Sequence, residues 1–451
     1  MNRTVDHEEQ HQHQQRQEAS KKKVKAKSMG LIKHAEKHSR KPVYLLLTVI
    51  VSAAMLLIQM HIVENHVVES SSLFLSEPIS KESRMVHTQT EKRDKCDEIV
   101  DNDDDADEDL KPILKLLCKG GYDVSKTSKT VHRSALPKFS DVLDFYGPPK
   151  ILGFETCSIY RKNTRRKDRH VAPAGMFNTG TNLLDGLIRE NCDLGNTNVN
   201  WRYDITYQVL WGKHIPFRYR KNRTAYSENT KKYKGMLYSN TLPVVAVRDP
   251  YTWMQSMCRQ PYSAQFDHNK LSCPNIVPYE SDIEAHPRFK KMKYIPVHVK
   301  YDKEIRFKYE SMAHLWNEWY SEYIRFDNDN TNDNSHNNRT AIMTSPIDFP
   351  FIVVRLEDLI FHPETVIPKI CECGGGTVNG GTVHQITEIA NGYNHAVDTS
   401  SGMDSGLLRS IVKYGNISKR RDGYPKFQLK AARDTLDPRL MDLLGYSYEE
   451  Y

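Results

Sequence analysis

The stretch GMFNTGTN from Gly175 to Asn182 has the composition of a turn that binds an anion. It lies between an apolar strand pattern, HVAPAG at 170–175, and a helical pattern that begins at Asn182. A strand, a glycine-containing turn and a helix start place several backbone N–H groups around one point, and the helix dipole favours negative charge there. The spacing from Gly175 to Gly180 fits the nucleotide-triphosphate loop G-x-x-x-x-G-K-[ST], but Thr181 stands where that loop has Lys. Because ATPases and kinases need that Lys, the pattern favours a different phosphate-bearing ligand.

A second group of polar side chains follows the apolar run PVVAVRD at 243–249. Arg248 ends this predicted strand, and Ser256 lies eight residues further along the chain. In open α/β sheets, ligands bind at the carboxyl ends of the strands. Asp249 suits the N-cap of the following helix, and Pro250 suits its first position. An Arg and a hydroxyl that converge on one point make a site for a phosphate dianion.

Two more basic segments are candidates for the same site. Lys213 and His214 follow the predicted strand ITYQVLW at 205–211, so both are expected at the carboxyl edge beside the glycine turn. There His214 is the candidate general base, unless both residues simply lie in a surface loop. The segment KRRDGY, which begins at Lys419, is a basic turn that contains Gly423.

Strand and helix patterns alternate from about residue 149 onward. Besides the runs named above, KILGFETCSIYR at 150–161 and FIVVRLED at 351–358 are predicted strands. A helix is predicted from Asn182 to Cys192, with its leucines on one face. This alternation predicts an α/β domain over 149–451, with a three-layer parallel sheet and a P-loop-like phosphate-binding turn.

Together these motifs resemble the PAPS-dependent sulfotransferase superfamily, and most of all its membrane-anchored, carbohydrate-modifying branch. In that family a K-[ST]-G-T-[TN] loop holds the 5′-phosphosulfate end of PAPS. An R-[DN]-P strand end, with a Ser eight residues after the Arg, holds the 3′-phosphate. The run from Val354 to Glu364 resembles the family's later R-x-E-D-L…P-E segment. The resemblance covers about 150–451, as three short motifs in the family's order.

The resemblance implies which residues bind the nucleotide and which act in catalysis. The implied nucleotide-binding residues are Thr179, Gly180, Thr181 and Asn182 in the loop, Arg248 and Ser256 at the 3′-phosphate, and Lys419, Arg420, Arg421 and Gly423 in the segment that closes over the nucleotide. The predicted catalytic residues are His214, Lys213 and Asn178; because Asn178 stands where the family has Lys or Arg, we expect Lys213 and His214 to supply the charged groups. PAPS is then the co-substrate, a glycan or glycoprotein is the acceptor, and no metal is required because N–H groups and basic side chains relieve the charge.

The first third of the chain contains an apolar run that indicates attachment to a lipid bilayer. The apolar run at 43–63 would span about 31 Å as a helix, enough for a bilayer core. Nine Lys and Arg residues between 21 and 41 precede it, and the more positive flank stays in the cytoplasm. We therefore predict a cytoplasmic tail over 1–42, a signal-anchor over 43–63, a partly disordered stem over 64–148 and a luminal domain, as in single-pass type II Golgi proteins. A nuclear-targeting signal and a cleaved signal peptide are the alternatives; nucleic-acid binding is not expected.

All eight cysteines follow the apolar run, on the side predicted to be oxidising. Their even number favours disulfides, with a zinc site at Cys371 and Cys373 as the alternative. The acidic run from Asp101 to Asp109 is interpreted as a solvated spacer, because it lacks the glycine and spacing of a calcium loop. The apolar patch from Ile113 to Leu117 is expected to dock the stem on the body.

Two other functions fit parts of the sequence. A Golgi glycosyltransferase would hold a metal-bound sugar nucleotide with D-x-D, and Asp327-Asn328-Asp329 has that form within an Asn/Asp-rich insertion. A non-catalytic relative that binds a ligand or partner is the third possibility, because Asn178 carries no charge. The glycosylation sequons at Asn222, Asn338 and Asn416 are expected to face the lumen, whereas Asn2 is not.

Overall fold

The computed structural model describes residues 95–126, 128, 131–195, 205–221, 236–267, 273–303, 305–326, 343–344, 349–385 and 406–450. The predicted cytoplasmic tail, the signal-anchor and Asp327–Asp329 lie outside these ranges, as do Asn222 and Asn338. Of the helices within the described ranges, none combines the length and apolarity needed to cross a membrane.

Eleven strands occur within the described residues. In chain order they are β1 (Ile151–Leu152), β2 (His170–Gly175), β3 (Cys192–Asp193), β4 (Thr241–Val247), β5 (Ala264–Gln265), β6 (Val297–Lys300), β7 (Arg306–Tyr309), β8 (Arg325–Phe326), β9 (Met343–Thr344), β10 (Ile352–Arg355) and β11 (Thr377–Val378).

The described helices connect and cover these strands. In chain order they are α1 (Cys96–Asp101), α2 (Lys111–Lys119), α3 (Phe139–Tyr146), α4 (Cys157–Asn163), α5 (Thr181–Asn191), α6 (Pro250–Arg259), α7 (Glu280–Ala285), α8 (Met312–Ser321), α9 (Leu356–Phe361), α10 (Pro363–Gly374), α11 (Gly406–Tyr414), α12 (Lys426–Thr435) and α13 (Pro438–Leu444).

A four-stranded sheet in the order β1-β10-β4-β2 forms the centre of the described chain. Strands β2 and β10 both pair in parallel with β4, and β1 pairs antiparallel with β10. Every residue of β2, β4 and β10 is buried, which is typical of parallel strands covered on both faces. The prediction of an α/β fold with a parallel-containing sheet is therefore confirmed. Its carboxyl edge carries the turn after β2 and Arg248 after β4.

A second sheet, with the order β5-β6-β7, is antiparallel throughout. Its buried side contributes Val297, Val299 and Tyr309 to the core. Two further pairs of short strands, β3 with β11 and β8 with β9, complete the described sheets.

Two of the predicted strands are wrong. The segment 150–161 forms only β1 and then turns at Gly153, whose φ of 79° is left-handed; helix α4 follows and buries Cys157 and Tyr160 one turn apart. The segment 205–211 makes a single bridge, from Ile205 to β2, before it turns. Its consecutive buried residues 209–211 pack in a turn rather than alternating between two faces.

Part of the predicted stem, from residue 95 onward, is folded onto the body. Helices α1, α2 and α3 share one hydrophobic core with the central sheet, and Ile113 and Leu117 are fully buried in it. This confirms the predicted docking of the apolar patch. The acidic run also makes specific contacts: Arg133 lies 2.5 Å from Asp103, and Asp109 accepts from the backbone N–H of Ser140 at 2.7 Å.

All eight cysteines form disulfides, as predicted. The pairs are Cys96–Cys118, Cys157–Cys373, Cys192–Cys371 and Cys258–Cys273. The zinc alternative for Cys371 and Cys373 is therefore wrong, because each sulfur is bonded to a distant cysteine. Four disulfides indicate an oxidising secretory or extracellular environment.

Candidate functional site

The turn between β2 and α5 directs its carbonyl oxygens into the protein. Four consecutive carbonyls accept hydrogen bonds: Gly175 from His214 Nδ1 (2.7 Å), Met176 from Thr179 Oγ1 (2.7 Å), Phe177 from Trp253 Nε1 (2.8 Å) and Asn178 from Arg248 Nη1 (2.9 Å). The first N–H groups of α5 have no carbonyl partner within the helix. The turn therefore offers donors rather than acceptors to a ligand at the start of α5, which suits an anion.

Two glycines allow this shape. Gly180 has a φ of 82°, and a Cβ there would lie 2.5 Å from a methyl of Leu356. At Gly175 a Cβ would lie 2.8 Å from the carbonyl oxygen of Ala246 in the neighbouring strand. Any larger residue would push the turn away from the sheet edge. The motif glycines are thus required by close packing as well as by backbone conformation.

Asn178 stabilises the backbone conformation of the turn between β2 and α5. Its φ is 62°, a left-handed value that Asn tolerates better than most residues. Its side-chain amide donates to the carbonyl oxygen of Gln260 at 2.8 Å, just beyond the end of α6. In the described structure this amide therefore ties the turn to α6 and is turned away from the start of α5.

The structure places Lys213 and His214 beside this turn, although no strand precedes them. The N–H of Gly175 donates to the carbonyl oxygen of Lys213 at 2.8 Å, which fixes the two segments together. Lys213 Nζ donates to Asn182 Oδ1 at 2.6 Å and lies 3.7 Å above the ring of Tyr207. Burial lowers the pKa of Lys213 to about 8, against the opposing attraction of Asp185. A partly desolvated ammonium therefore stands next to the helix start.

His214 is held as the tautomer that can accept a proton. Its Nδ1 lies 2.7 Å from the carbonyl oxygen of Gly175, and a carbonyl only accepts, so Nδ1 carries the hydrogen. Burial lowers the pKa of His214 to about 4, which keeps the ring neutral at pH 7. The ring of Phe177 packs against it at 4.7 Å between centroids. In this tautomer the lone pair of Nε2 is the basic position of the ring.

Arg248 links the turn to helix α6. Besides Asn178, its guanidinium donates to Thr252, at 3.1 Å to the hydroxyl and 2.7 Å to the carbonyl oxygen. Asp249 caps α6 by accepting from the N–H of Thr252 at 3.0 Å, and Pro250 occupies the first turn, as predicted. The buried Arg248 therefore brings positive charge to the base of the site while its hydrogen bonds hold the turn in place.

An open cleft of about 710 Å³ lies at the end of α6. It is lined by Gln255, Cys258, Arg259, Cys273, Pro274, Lys413, Lys419, Asp422 and Gly423. Ser256 faces this region as well, since its hydroxyl accepts from Arg259 Nη2 at 2.8 Å. Lys419 is balanced by Asp422 at 3.4 Å. Of the residues predicted to bind the nucleotide, Lys419 and Gly423 line this cleft, whereas Arg248 does not.

Arg259 and Lys413 were not found from the sequence. Neither forms an ion pair with a carboxylate within the described residues. Burial, together with repulsion from Arg248, Arg259 and Arg409, lowers the pKa of Lys413 to about 5. The sequence did contain one indication of Arg259, because it lies three residues after Ser256 on α6. Lys413 lies in no motif that would indicate a role in binding.

Arg420 and Arg421 make contacts that favour a role in the fold. The guanidinium of Arg420 lies 2.6 Å from Asp249 and 2.7 Å from Glu449, with all three side chains buried. Arg421 pairs with the same Glu449. Of the basic segment that begins at Lys419, only Lys419, Asp422 and Gly423 line the cleft.

Comparison of the chain with protein-family models, with curated proteins and with solved structures gives no match. Within the described residues, no group of three or more His, Cys, Asp and Glu side chains is arranged to hold a metal ion.

Proposed function

We propose that this protein is a sulfotransferase that moves a sulfuryl group from PAPS to a hydroxyl of a glycan or glycoprotein. The supporting observation is that two features suited to anions occur together. The turn after β2 presents helix N–H groups to a ligand, and basic side chains without carboxylate partners stand in the adjoining cleft. PAPS carries phosphate groups at its 5′ and 3′ positions, so one can bind at the turn and the other in the cleft.

The two ends of PAPS are assigned to different parts of the site. The 5′-phosphosulfate lies on Thr179, Gly180, Thr181 and Asn182, where a P-loop-like turn of a three-layer domain would hold it. The 3′-phosphate lies in the cleft beside Ser256, Arg259 and Lys413, with Lys419 and Gly423 at its rim. The volume of the cleft is in the range usual for nucleotide and cofactor sites.

The proposed chemistry is an in-line displacement at sulfur. The acceptor hydroxyl oxygen bonds to sulfur as the bond between sulfur and the phosphate oxygen breaks, and adenosine 3′,5′-bisphosphate leaves. His214 Nε2 takes the proton of the hydroxyl, since the ring is neutral with Nδ1 already protonated. Lys213 and the helix N–H groups stabilise the charge on the departing phosphate. Asn178 positions the turn and takes no part in this proton transfer.

The proposed location is the Golgi membrane, with residues 43–63 as the anchor and the described domain in the lumen. The four disulfides support an oxidising compartment. Asn416 is exposed in the described structure, so its sequon is accessible to a glycosyltransferase.

The direct test uses the full-length chain from a eukaryotic secretory host, radiolabelled PAPS and a panel of sulfatable polymers. We expect transfer of label, and His214→Ala should lower the rate by about 10²- to 10⁴-fold while the affinity for adenosine 3′,5′-bisphosphate stays nearly unchanged. His286→Ala, at an exposed histidine remote from the turn, is the matched control and should be fully active.

Two results would contradict this proposal. Nucleotide binding without transfer to any polymer, with activity gained only on Asn178→Lys, would identify a non-catalytic binding protein. Manganese-dependent binding of a sugar nucleotide, with no binding of PAPS, would instead favour a glycosyltransferase.

A further inference from the structure

The outer side of the β5-β6-β7 sheet is strongly basic. Residues 286–308 contain eight Lys or Arg and two Asp or Glu, so this short segment carries a net charge of +6 in a chain whose net charge is +7. Strands β6 and β7 pair with Lys300 opposite Arg306 and His298 opposite Lys308. All four side chains are exposed on the same side of the sheet, and we call them the basic face.

The charges of the basic face are not balanced by neighbours. Within the described residues, none of the four side chains has an ion pair or a hydrogen-bonded side-chain partner. Like charges placed directly opposite each other weaken a pair of strands. The Lys300–Arg306 pair is therefore unfavourable for the isolated fold, and a bound polyanion would remove the repulsion.

The same sheet reaches the candidate site from its other side. Tyr301, which follows β6, stacks on Phe177 of the glycine turn at 6.2 Å between ring centroids. Tyr262, just before β5, stacks on the same ring at 5.5 Å and is 55% exposed. Because Phe177 also contacts His214, the sheet that carries the basic face is packed directly against the turn.

We infer that the basic face binds a linear polysaccharide that carries carboxylate or sulfate groups. The face offers three cations, with Arg306 and Lys308 about 7 Å apart along β7 and Lys300 opposite Arg306, which suits a polymer of repeating negative charge. This binding goes beyond the proposed transfer reaction and does not require it.

The chemistry of the face favours a polysaccharide over other polyanions. Among the described residues, its exposed side chains are Gln265 and the four residues of the basic face, with no apolar side chain that could receive the side chains of a peptide. Anionic lipids are concentrated in the cytoplasmic leaflet, whereas the disulfides favour an oxidising compartment on the other side of the membrane. An acidic peptide and a membrane surface are accordingly the competing outcomes of the test.

The test compares two variants of the full-length chain, each with three charges removed. The first is Lys300→Gln/Arg306→Gln/Lys308→Gln in the basic face. The second, a control, is Lys138→Gln/Lys162→Gln/Lys426→Gln at exposed positions on other elements. Binding to immobilised polygalacturonate and heparin is measured without nucleotide, so the result is independent of transfer activity. Dextran, poly-glutamate and phosphatidylserine vesicles are the comparison ligands.

We expect the unmodified chain to bind both acidic polysaccharides and not dextran, with an affinity that falls as salt is added. The basic-face variant should bind about tenfold or more weakly, and the control variant should keep most of the affinity. The melting temperature of the basic-face variant should be unchanged or higher, because like-charge pairs are removed, so loss of binding would not reflect unfolding. Equal loss in both variants, or stronger binding to poly-glutamate or to the vesicles, overturns the inference.

Discussion

Two clusters of basic side chains lie at opposite ends of helix α6, and they differ in what balances their charge. At the start of the helix, Arg420 is enclosed by Asp249 and Glu449 at 2.6 and 2.7 Å. At its end, Arg259 and Lys413 have no carboxylate partner within the described residues, and Arg409 adds a further positive charge to the surroundings of Lys413. We call the first the paired cluster and the second, formed by Arg259, Lys413 and Arg409, the open cluster.

The presence or absence of a carboxylate partner separates basic groups that stabilise the fold from basic groups that can bind a ligand. A buried charge is costly unless an opposite charge or hydrogen bonds compensate for it. The paired cluster is compensated internally, so its residues have no capacity left for a nucleotide. Arg259 and Lys413 of the open cluster have no carboxylate partner within the described residues and stand beside a cleft, which is the arrangement expected of an anion site before its ligand binds.

The largest expected effect is on the paired cluster. Arg420→Met should lower the free energy of unfolding by about 3–5 kcal/mol, because two buried carboxylates lose their common partner. Arg421→Gln is the control: its half-exposed side chain pairs with one of the same carboxylates, and it should cost only about 0–1 kcal/mol. Urea unfolding followed by circular dichroism measures both. If Arg420→Met is as stable as the parent but binds nucleotide poorly, the roles of the two clusters are reversed.

A substitution in the open cluster is expected to have a smaller effect, and to change the affinity for the nucleotide rather than the stability. Lys413→Met should weaken binding of adenosine 3′,5′-bisphosphate by about 1.5–3 kcal/mol, because one charge-assisted contact to a phosphate is lost. Its stability should not fall, since within the described residues the buried Lys413 side chain has no ion pair to lose. Titration calorimetry gives the affinity, with the exposed Lys426→Met as control. Loss of stability without loss of affinity would show that Lys413 supports the fold.

The smallest effect concerns pH. Burial and the neighbouring arginines lower the pKa of Lys413 to about 5, so the free protein holds this lysine neutral at pH 7. A bound phosphate raises that pKa, and binding therefore takes up a proton. The affinity should then fall as pH rises from about 7 to 8.5, by at most about tenfold per pH unit, in a range where the ligand phosphate is already mostly ionised.

The matched variant separates Lys413 from other groups that titrate in this range. Burial raises the pKa of Glu357 to about 7, with repulsion from Asp249 adding to the shift. Lys413→Met should reduce the proton uptake seen by calorimetry in buffers of different ionisation enthalpy, whereas any contribution of Glu357, or of Lys213 with its pKa of about 8, would remain. A pH dependence that is identical in parent and variant would rule out Lys413 as its source.

The sequence predicted correctly those features of the fold and of the candidate site that are determined by residues close together in the chain. The strand-turn-helix of 170–191, the cap at Asp249 and Pro250 after it are local patterns, and the structure has all three. The open cluster could not be predicted, because α11 approaches the end of α6 only in the folded chain. Arg420 illustrates the same limit. Its motif indicated a contact with the ligand, but its guanidinium is instead bound by the carboxylate of Glu449, which lies 29 residues later in the chain.

The two strands predicted in error have a related cause. In 150–161 and 205–211 the apolar residues occur as short runs, and such runs do not distinguish a strand from a buried turn or helix start. The expected proximity of Lys213 and His214 to the glycine turn nevertheless holds. It depends on the hydrogen bond from Gly175 to Lys213 rather than on a strand.

The disulfides also set the order in which the chain can mature. Cys258–Cys273 and Cys96–Cys118 join residues 15 and 22 positions apart, so each can close soon after its second cysteine enters an oxidising compartment. Cys157 and Cys192 must wait for Cys373 and Cys371, which follow 216 and 179 residues later. At ordinary rates of synthesis the later partners arrive on the order of 10–40 seconds afterwards. During that interval the thiols of Cys157 and Cys192 remain open to wrong pairing, and any such pairing has to be exchanged before these two disulfides can form.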